Sequence, residues 1–298
     1  MRKNAVRCIL AALLLALFLP LAQAEQDNAS VSAANEKAEQ ATSDLTRDER
    51  EQIVAEALEA LNLTVRALHA LDDQDSKAAL KALEQASGKL DVLLARKPEL
   101  SLAPVDVRVF TRDLHASTTA IEEARKSALR SLNNGDVQQA RQILQGLASE
   151  VEIQVVNLPM GTYPSAIQAV VPLIDSGRVD QARAALQAVL NTLVIESTVI
   201  PLPLLRAQLM LEAAEVLAEN PERTNDQSMD LHTLLDSARE QLRLAEALGY
   251  GRSEQFEPMY EQIELIHEKT RDNQSGSGFF DKIKQALSTL QQEQDSHP

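Results

Sequence analysis

Residues 197–208, STVIPLPLLRAQ, decide how the middle of this chain is read. A β-branched run meets Pro201 and Pro203, and an apolar segment with helix-like spacing follows at once. Proline has no N–H to give to a strand ladder, so Pro201 marks the end of a strand. Pro203 suits the first turn of a helix. The same order of signals occurs once before. Residues 132–159, LNNGDVQQARQILQGLASEVEIQVVNLP, lie over residues 174–201, IDSGRVDQARAALQAVLNTLVIESTVIP, at an offset of 42 without gaps. The nine identities in 28 positions include Gly135/Gly177, Ala140/Ala182, Leu144/Leu186, Ile153/Ile195 and Pro159/Pro201. Each unit reads as glycine turn, helix, β-branched stretch and proline stop. A fainter copy starts at Gln74, with Ala79 and Leu83 on the Ala140 and Leu144 positions.

Val151, Ile153 and Val155 alternate with Glu152 and Gln154, the period of a half-buried strand. Residues 193–200 are its equivalent, apolar enough for burial on both faces. An isolated strand leaves its backbone groups unpaired, so the two copies are expected to pair with each other. The alternative is that both stretches continue their helices as buried apolar segments.

The rest of the chain favours helices: it has no Trp, 3% aromatic residues, and much Ala, Leu, Gln and Glu. Thr46 and Glu49 form a capping-box pattern, followed by Val54, Leu58, Leu61, Val65 and Leu68 on one helical face. Residues 72–75 form a turn, and a second helix with Leu80, Leu83, Leu90 and Leu94 stops near Lys97, before Pro98. A third carries Leu114, Ile121, Ala124, Ala128 and Leu132 and ends at Asn133-Asn134-Gly135. Residues 165–175 make a short helix that Pro172 should kink. Later helices are read at 205–217, at 231–248 (closed by Gly249) and at 256–267. The predicted fold is mainly α: antiparallel helical hairpins in one elongated domain, residues 46–273, with a small two-stranded β element from the internal duplication.

The ends read differently. Arg2, Lys3 and Arg7 precede an apolar run at 9–19 and Ala22-Gln23-Ala24, so residues 1–24 are a secretory signal peptide and the expected location is the bacterial periplasm. Cys8, the only cysteine, lies within it. Residues 25–45 are polar and without period, a disordered leader. Residues 274–298 are a linker and an amphipathic helix with Phe279, Phe280, Ile283, Leu287 and Leu290. That helix is expected to dock on its own domain, ahead of a partner or a membrane surface. The net charge of −15 becomes −18 once the three basic signal residues are removed, which argues against nucleic acid as a partner.

Signatures of catalysis are missing. The five histidines, His69, His115, His232, His267 and His297, form no His-x-x-x-His pair, and Asp72, Asp73 and Asp75 lack the glycine and glutamate of a calcium loop. No metal or cofactor is expected. Two features suit binding. Tyr163, Pro164, Pro201, Leu202 and Pro203 are expected to gather where the strands leave the core, an apolar edge open to extended peptides. The Phe279-Phe280 tail could assist. Burial of the same residues against neighbouring helices is the competing reading.

The segment from Asp106 to Leu217 resembles the YfdX family of exported proteobacterial proteins, through ALRSLNNGDVQQARQIL, EVEIQVVNLPMGTYPSAIQA, LIDSGRVDQARAALQAVL and VIESTVIPLPLLRAQLMLEAAEVL. The resemblance extends from about Leu45 to His267 and leaves the tail after Gln274 unmatched. It implies a mainly helical, oligomer-forming periplasmic protein from genes associated with acid, heat or envelope stress, with chaperone-like binding and no established catalytic residues. The expected function is therefore non-catalytic holding of protein clients or small apolar ligands. A hydrolase-type enzyme with scattered carboxylates and a scaffold for an envelope complex are the alternatives.

Overall fold

The computed structural model describes residues 29–295, so the signal-peptide reading lies outside the described residues. The first described element corrects the expectation of a disordered leader. Ala29–Glu51 is a helix, α1, whose fully buried residues are two alanines, Ala34 and Ala38. A polar sequence with such small buried residues carries no apolar period, which is why it reads as unstructured. Thr46 is not an N-cap: it lies inside α1, and its Oγ1 donates to the Thr42 carbonyl. The chain breaks at Val54 (φ −86°, ψ 105°), whose N–H donates to the Pro104 carbonyl at 2.8 Å, and α2 (Ala55–Asp72) starts there. A tertiary hydrogen bond divides what local periodicity joins.

Asp75 caps α3 (Ser76–Arg96) by accepting from the Ala78 amide, and the helix ends before Lys97 as expected. Next comes a strand that the helical reading did not include. β1 (Leu102–Arg112) places Ala103, Val105 and Val107 inward. Leu114 falls in the following loop, and the third helix, α4 (Thr118–Asn133), begins after it. α5 (Val137–Gln145) leads into β2 (Glu150–Pro159). The short helix read at 165–175 is two, α6 (Tyr163–Gln168) and α7 (Val171–Asp175), because Pro172 starts a new first turn rather than kinking one helix. α8 (Val179–Leu190) leads into β3 (Val194–Pro201).

The two duplicated strands pair with each other as expected, and they run antiparallel, Val151 opposite Ile200 and Val156 opposite Ile195. The sheet has three strands, not two, in the order β1-β2-β3, with Val107 opposite Val155 on the other side of β2. β3 was expected to be buried on both faces. It is instead an exposed edge strand up to Val199.

α9 (Leu202–Glu219) starts on the prolines, with Pro203 in its first turn. α10 (Asn225–Leu248) has a Thr224–Gln227 capping box and closes on left-handed Gly249 (φ 89°); α11 (Ser253–Lys269) and α12 (Asp281–Asp295) follow. Three apolar clusters hold these elements. The first joins α2, α3, α6, α7 and α8 to Val105, Val156 and Leu158 of the sheet. The second joins α9 to α12 and includes Ala34 of α1. A small third cluster of Val107, Val151, Ile153 and Leu202 lies on the sheet between them, closed by Ile53. α12 docks on its own chain: Phe280, Ile283, Leu287 and Leu290 are buried in the second cluster. The buried Arg223 guanidinium fastens that half. It donates to the Leu217, Thr270 and Gln274 carbonyls, where the C-termini of α9 and α11 converge.

Candidate functional site

The seven residues expected to bind do not form one surface. Tyr163 and Pro164 are buried in α6, with Tyr163 in the first cluster. Burial pushes the Tyr163 phenol up to about 12, and its polar neighbour is Thr64. Leu202 is buried in the sheet cluster, its N–H donating to the Ser149 carbonyl, and Pro201 and Pro203 are buried beside it. Phe280 belongs to the second cluster; Phe279 is half-buried with Lys269 Nζ 4.9 Å from its ring centre. Burial, the competing reading, describes all but the half-buried Phe279, with Leu202 packed on the sheet and not on a helix. Apolar type alone does not tell a binding face from a core face.

The exposed apolar surface lies one strand residue away from the prolines. Val194, Ile195 and Val199 of β3 are exposed, and no strand pairs with β3 on its outer side among the described residues. Val199 lies opposite Glu152, which lies opposite Phe110, so Val199 and Phe110 share one face; Ile195, four residues before Val199, shares it too. Phe110 is also exposed. This gives an edge with free backbone groups and an apolar side, the geometry that accepts an extended chain as a further strand. Asn157 braces the strand from within, its Nδ2 donating to Glu196 Oε2 at 2.8 Å.

A polar node fixes the sheet at its Pro201 end, where Arg112, Glu150 and Pro201 lie in register. Arg206 of α9 donates through both terminal nitrogens to Asp113, at 3.0 and 2.6 Å, and Ser149 Oγ donates to the same carboxylate at 3.1 Å. The Arg206 hydrogen bond holds the Asp113 carboxyl below the usual carboxylate range. Tyr250, after α10, accepts from the Ser149 amide and donates to Glu150, which also takes Arg112 at 3.1 Å. Burial and Glu150 push the Tyr250 phenol up. Serine, aspartate and histidine meet here, but not in the order a nucleophile needs. The Ser149 hydroxyl is committed to a carboxylate, and His115 is exposed with Nε2 4.0 Å from Asp113. The node links strands to helices.

Folding also pairs two histidines that sequence spacing keeps 35 residues apart. His232 of α10 and His267 of α11 stack with ring centres 5.0 Å apart and Nδ1 atoms at 2.8 Å, so at least one Nδ1 must be unprotonated. Burial, then His267, holds the His232 pKa down. Their positions on facing helices were the only signal available. Among the described residues no group of three or more His, Cys, Asp or Glu could hold a metal ion, and no helix is long and apolar enough to cross a membrane.

With this geometry established, residues 60–199 match the family model for YfdX protein. That match takes in 140 of the 298 residues. It covers the hairpins from α2 to α8 and most of the sheet, and it ends just before the Pro201–Leu204 run, so α9 to α12 lie beyond the matched part. The crystal structure of Salmonella Typhi YfdX is similar at 15% identity, covering 50% of this chain and 93% of that one with a TM-score of 0.34. No curated protein matches.

Proposed function

We propose that this protein is a periplasmic, stress-related binding protein that acts without turnover, holding extended apolar segments of partly unfolded clients along the β3 edge. The observation that carries this reading is the exposed strand itself, with Ile195 and Val199 on the face that Phe110 extends. An unfolding chain offers the complement, apolar side chains at alternate positions and unpaired backbone groups. The net charge, −15 for the full chain and −18 without the three basic signal residues, keeps a loaded complex soluble. The match to the YfdX model supports the family reading from which the envelope-stress setting is taken. Ile195→Lys with Val199→Lys should abolish suppression of client aggregation while the helical circular dichroism spectrum stays unchanged. Undiminished suppression by the folded double variant would place client binding elsewhere.

A further inference from the structure

Three hairpins of this chain share one turn. In α2–α3, α4–α5 and α7–α8 the turn residue is left-handed: Gln74 at φ 60°, Gly135 at 83° and Gly177 at 72°. Its amide donates three residues back in every case, Gln74 to Leu71 (3.1 Å), Gly135 to Leu132 (3.0 Å) and Gly177 to Ile174 (2.9 Å). The next amide reaches five back, Asp75 to Ala70, Asp136 to Ser131 and Arg178 to Leu173, at 2.8, 2.8 and 2.9 Å. Ala79, Ala140 and Ala182, at the same place in each second helix, are all fully buried. These are three copies of one unit.

Two copies pack on each other reciprocally. The first helix of each meets the second helix of the other, α2 with α8 and α3 with α7. Leu71 and Leu83 on one side, and Ile174 and Leu186 on the other, are buried in the cluster they share. The third hairpin has the same apolar residues and, among the described residues, nothing that buries them. Leu132 is 45% exposed where Ile174 is 3%, and Leu144 is 47% exposed where Leu186 is 0%. Leu129 and Val137 are exposed as well, at the positions where Val171 and Val179 pack against the first cluster. α4–α5 is attached by its other side, through buried Ile121 and Ala128 and through Arg125, which donates to the Ala247 carbonyl at 2.9 Å.

We infer that the open face of α4–α5 is a docking surface for the same hairpin of a second copy of this chain, first helix against second helix, as α2–α3 and α7–α8 meet within one chain. The cover is specified by the fold: inside this chain a hairpin of this unit is covered by another hairpin of the unit. In a second copy, α2–α3 and α7–α8 already cover each other, which leaves α4–α5 as the hairpin with an open face. A reciprocal pairing of like units is the internal counterpart of a two-fold interface. Charge permits it. Residues 118–145 carry four basic and three acidic side chains, so two such faces meet near neutrality although each chain carries −15. This surface is distinct from the β3 edge.

Sedimentation equilibrium of the purified protein tests it. The wild type should associate reversibly to a dimer. Leu132→Glu with Leu144→Glu should raise the dissociation constant about a hundredfold or more, with an unchanged circular dichroism spectrum. Leu132→Gln with Leu144→Gln gives the milder version if the charged pair does not fold, and should shift the constant in the same direction. Val199→Lys should leave the dimer intact. A wild type that stays monomeric at every concentration, or folded leucine variants that dimerise as the wild type does, overturns the inference. So does a dimer lost only in Val199→Lys, which would put the contact on the sheet edge.

Discussion

The two clear copies of the repeat bury opposite parts of themselves. In the first, the helical hairpin α4–α5 shows its apolar face to solvent and the strand β2 is central, with Ile153 3% exposed. In the second, α7–α8 is sunk in the first cluster and β3 lies at the edge, with the equivalent Ile195 53% exposed. The turns and first bonds of the two copies are the same. The register adds a further inversion. Ile153 lies opposite Thr198 and Ile195 opposite Val156, so the two equivalent isoleucines point to opposite faces of the sheet. One local sequence therefore gives one local structure, while burial is set by whichever neighbour arrives. The exposed halves left over, β3 and α4–α5, are the two surfaces to which binding is assigned above.

The largest test of that contrast compares one leucine in two settings. Leu186→Ala removes a fully buried side chain and should cost about 2–5 kcal/mol in denaturant unfolding. Leu144→Ala, at the matching position on the open face, should cost within roughly 0.5 kcal/mol in the monomer. Equal losses would mean that α4–α5 is covered within the chain.

A second test concerns how each strand is entered. Ser149, just before β2, is held by Tyr250 and by Asp113, which Arg206 in turn fixes, whereas its repeat equivalent, Asn191 before β3, is exposed. The Asp113 pKa is lowered in the folded chain, chiefly by the Arg206 hydrogen bond. The unfolded state therefore binds the proton more readily, and the pair stabilises above the unfolded carboxylate pKa of about 4 and is lost as pH falls through the depressed folded value. Asp113→Asn should cost on the order of 1–3 kcal/mol at neutral pH and less as the solution is acidified below about pH 4. Unfolding titrations of both proteins from pH 7 to pH 3 measure this, and a loss independent of pH would assign the effect to packing instead.

The smallest expected effect should be the same in both copies. Gly135→Ala and Gly177→Ala each force a side chain into the left-handed region, with nothing within 4 Å of the added carbon. Each should cost roughly 1–2 kcal/mol, from backbone conformation alone. Thermal unfolding of the two variants checks it; a clearly larger loss for Gly177 would show that the turn, and not only the helix faces, feels the second copy's deeper burial.

Much of the fold was legible in the residues. The duplication, the pairing of its strands, the helix start at Pro203, the stop at Gly249 and the amphipathic tail all rest on local signals: backbone freedom, missing N–H groups and apolar period. α1 was not legible, because its fully buried residues are Ala34 and Ala38 and it shows no apolar stripe. Nor was the break at Val54, which a hydrogen bond to Pro104 makes. The site was less legible than the fold. Tyr163, Leu202 and Phe280 have the composition of a binding face and are core residues, while Ile195 and Val199 have the composition of a core strand and are exposed. His232 and His267 come together only because α10 and α11 pack side by side. Sequence by itself determined what each segment can become, since propensity, turn chemistry and periodicity act over a few residues. Tertiary structure decided which apolar faces are covered, since cover is supplied by segments distant in the chain whose arrival no local pattern records.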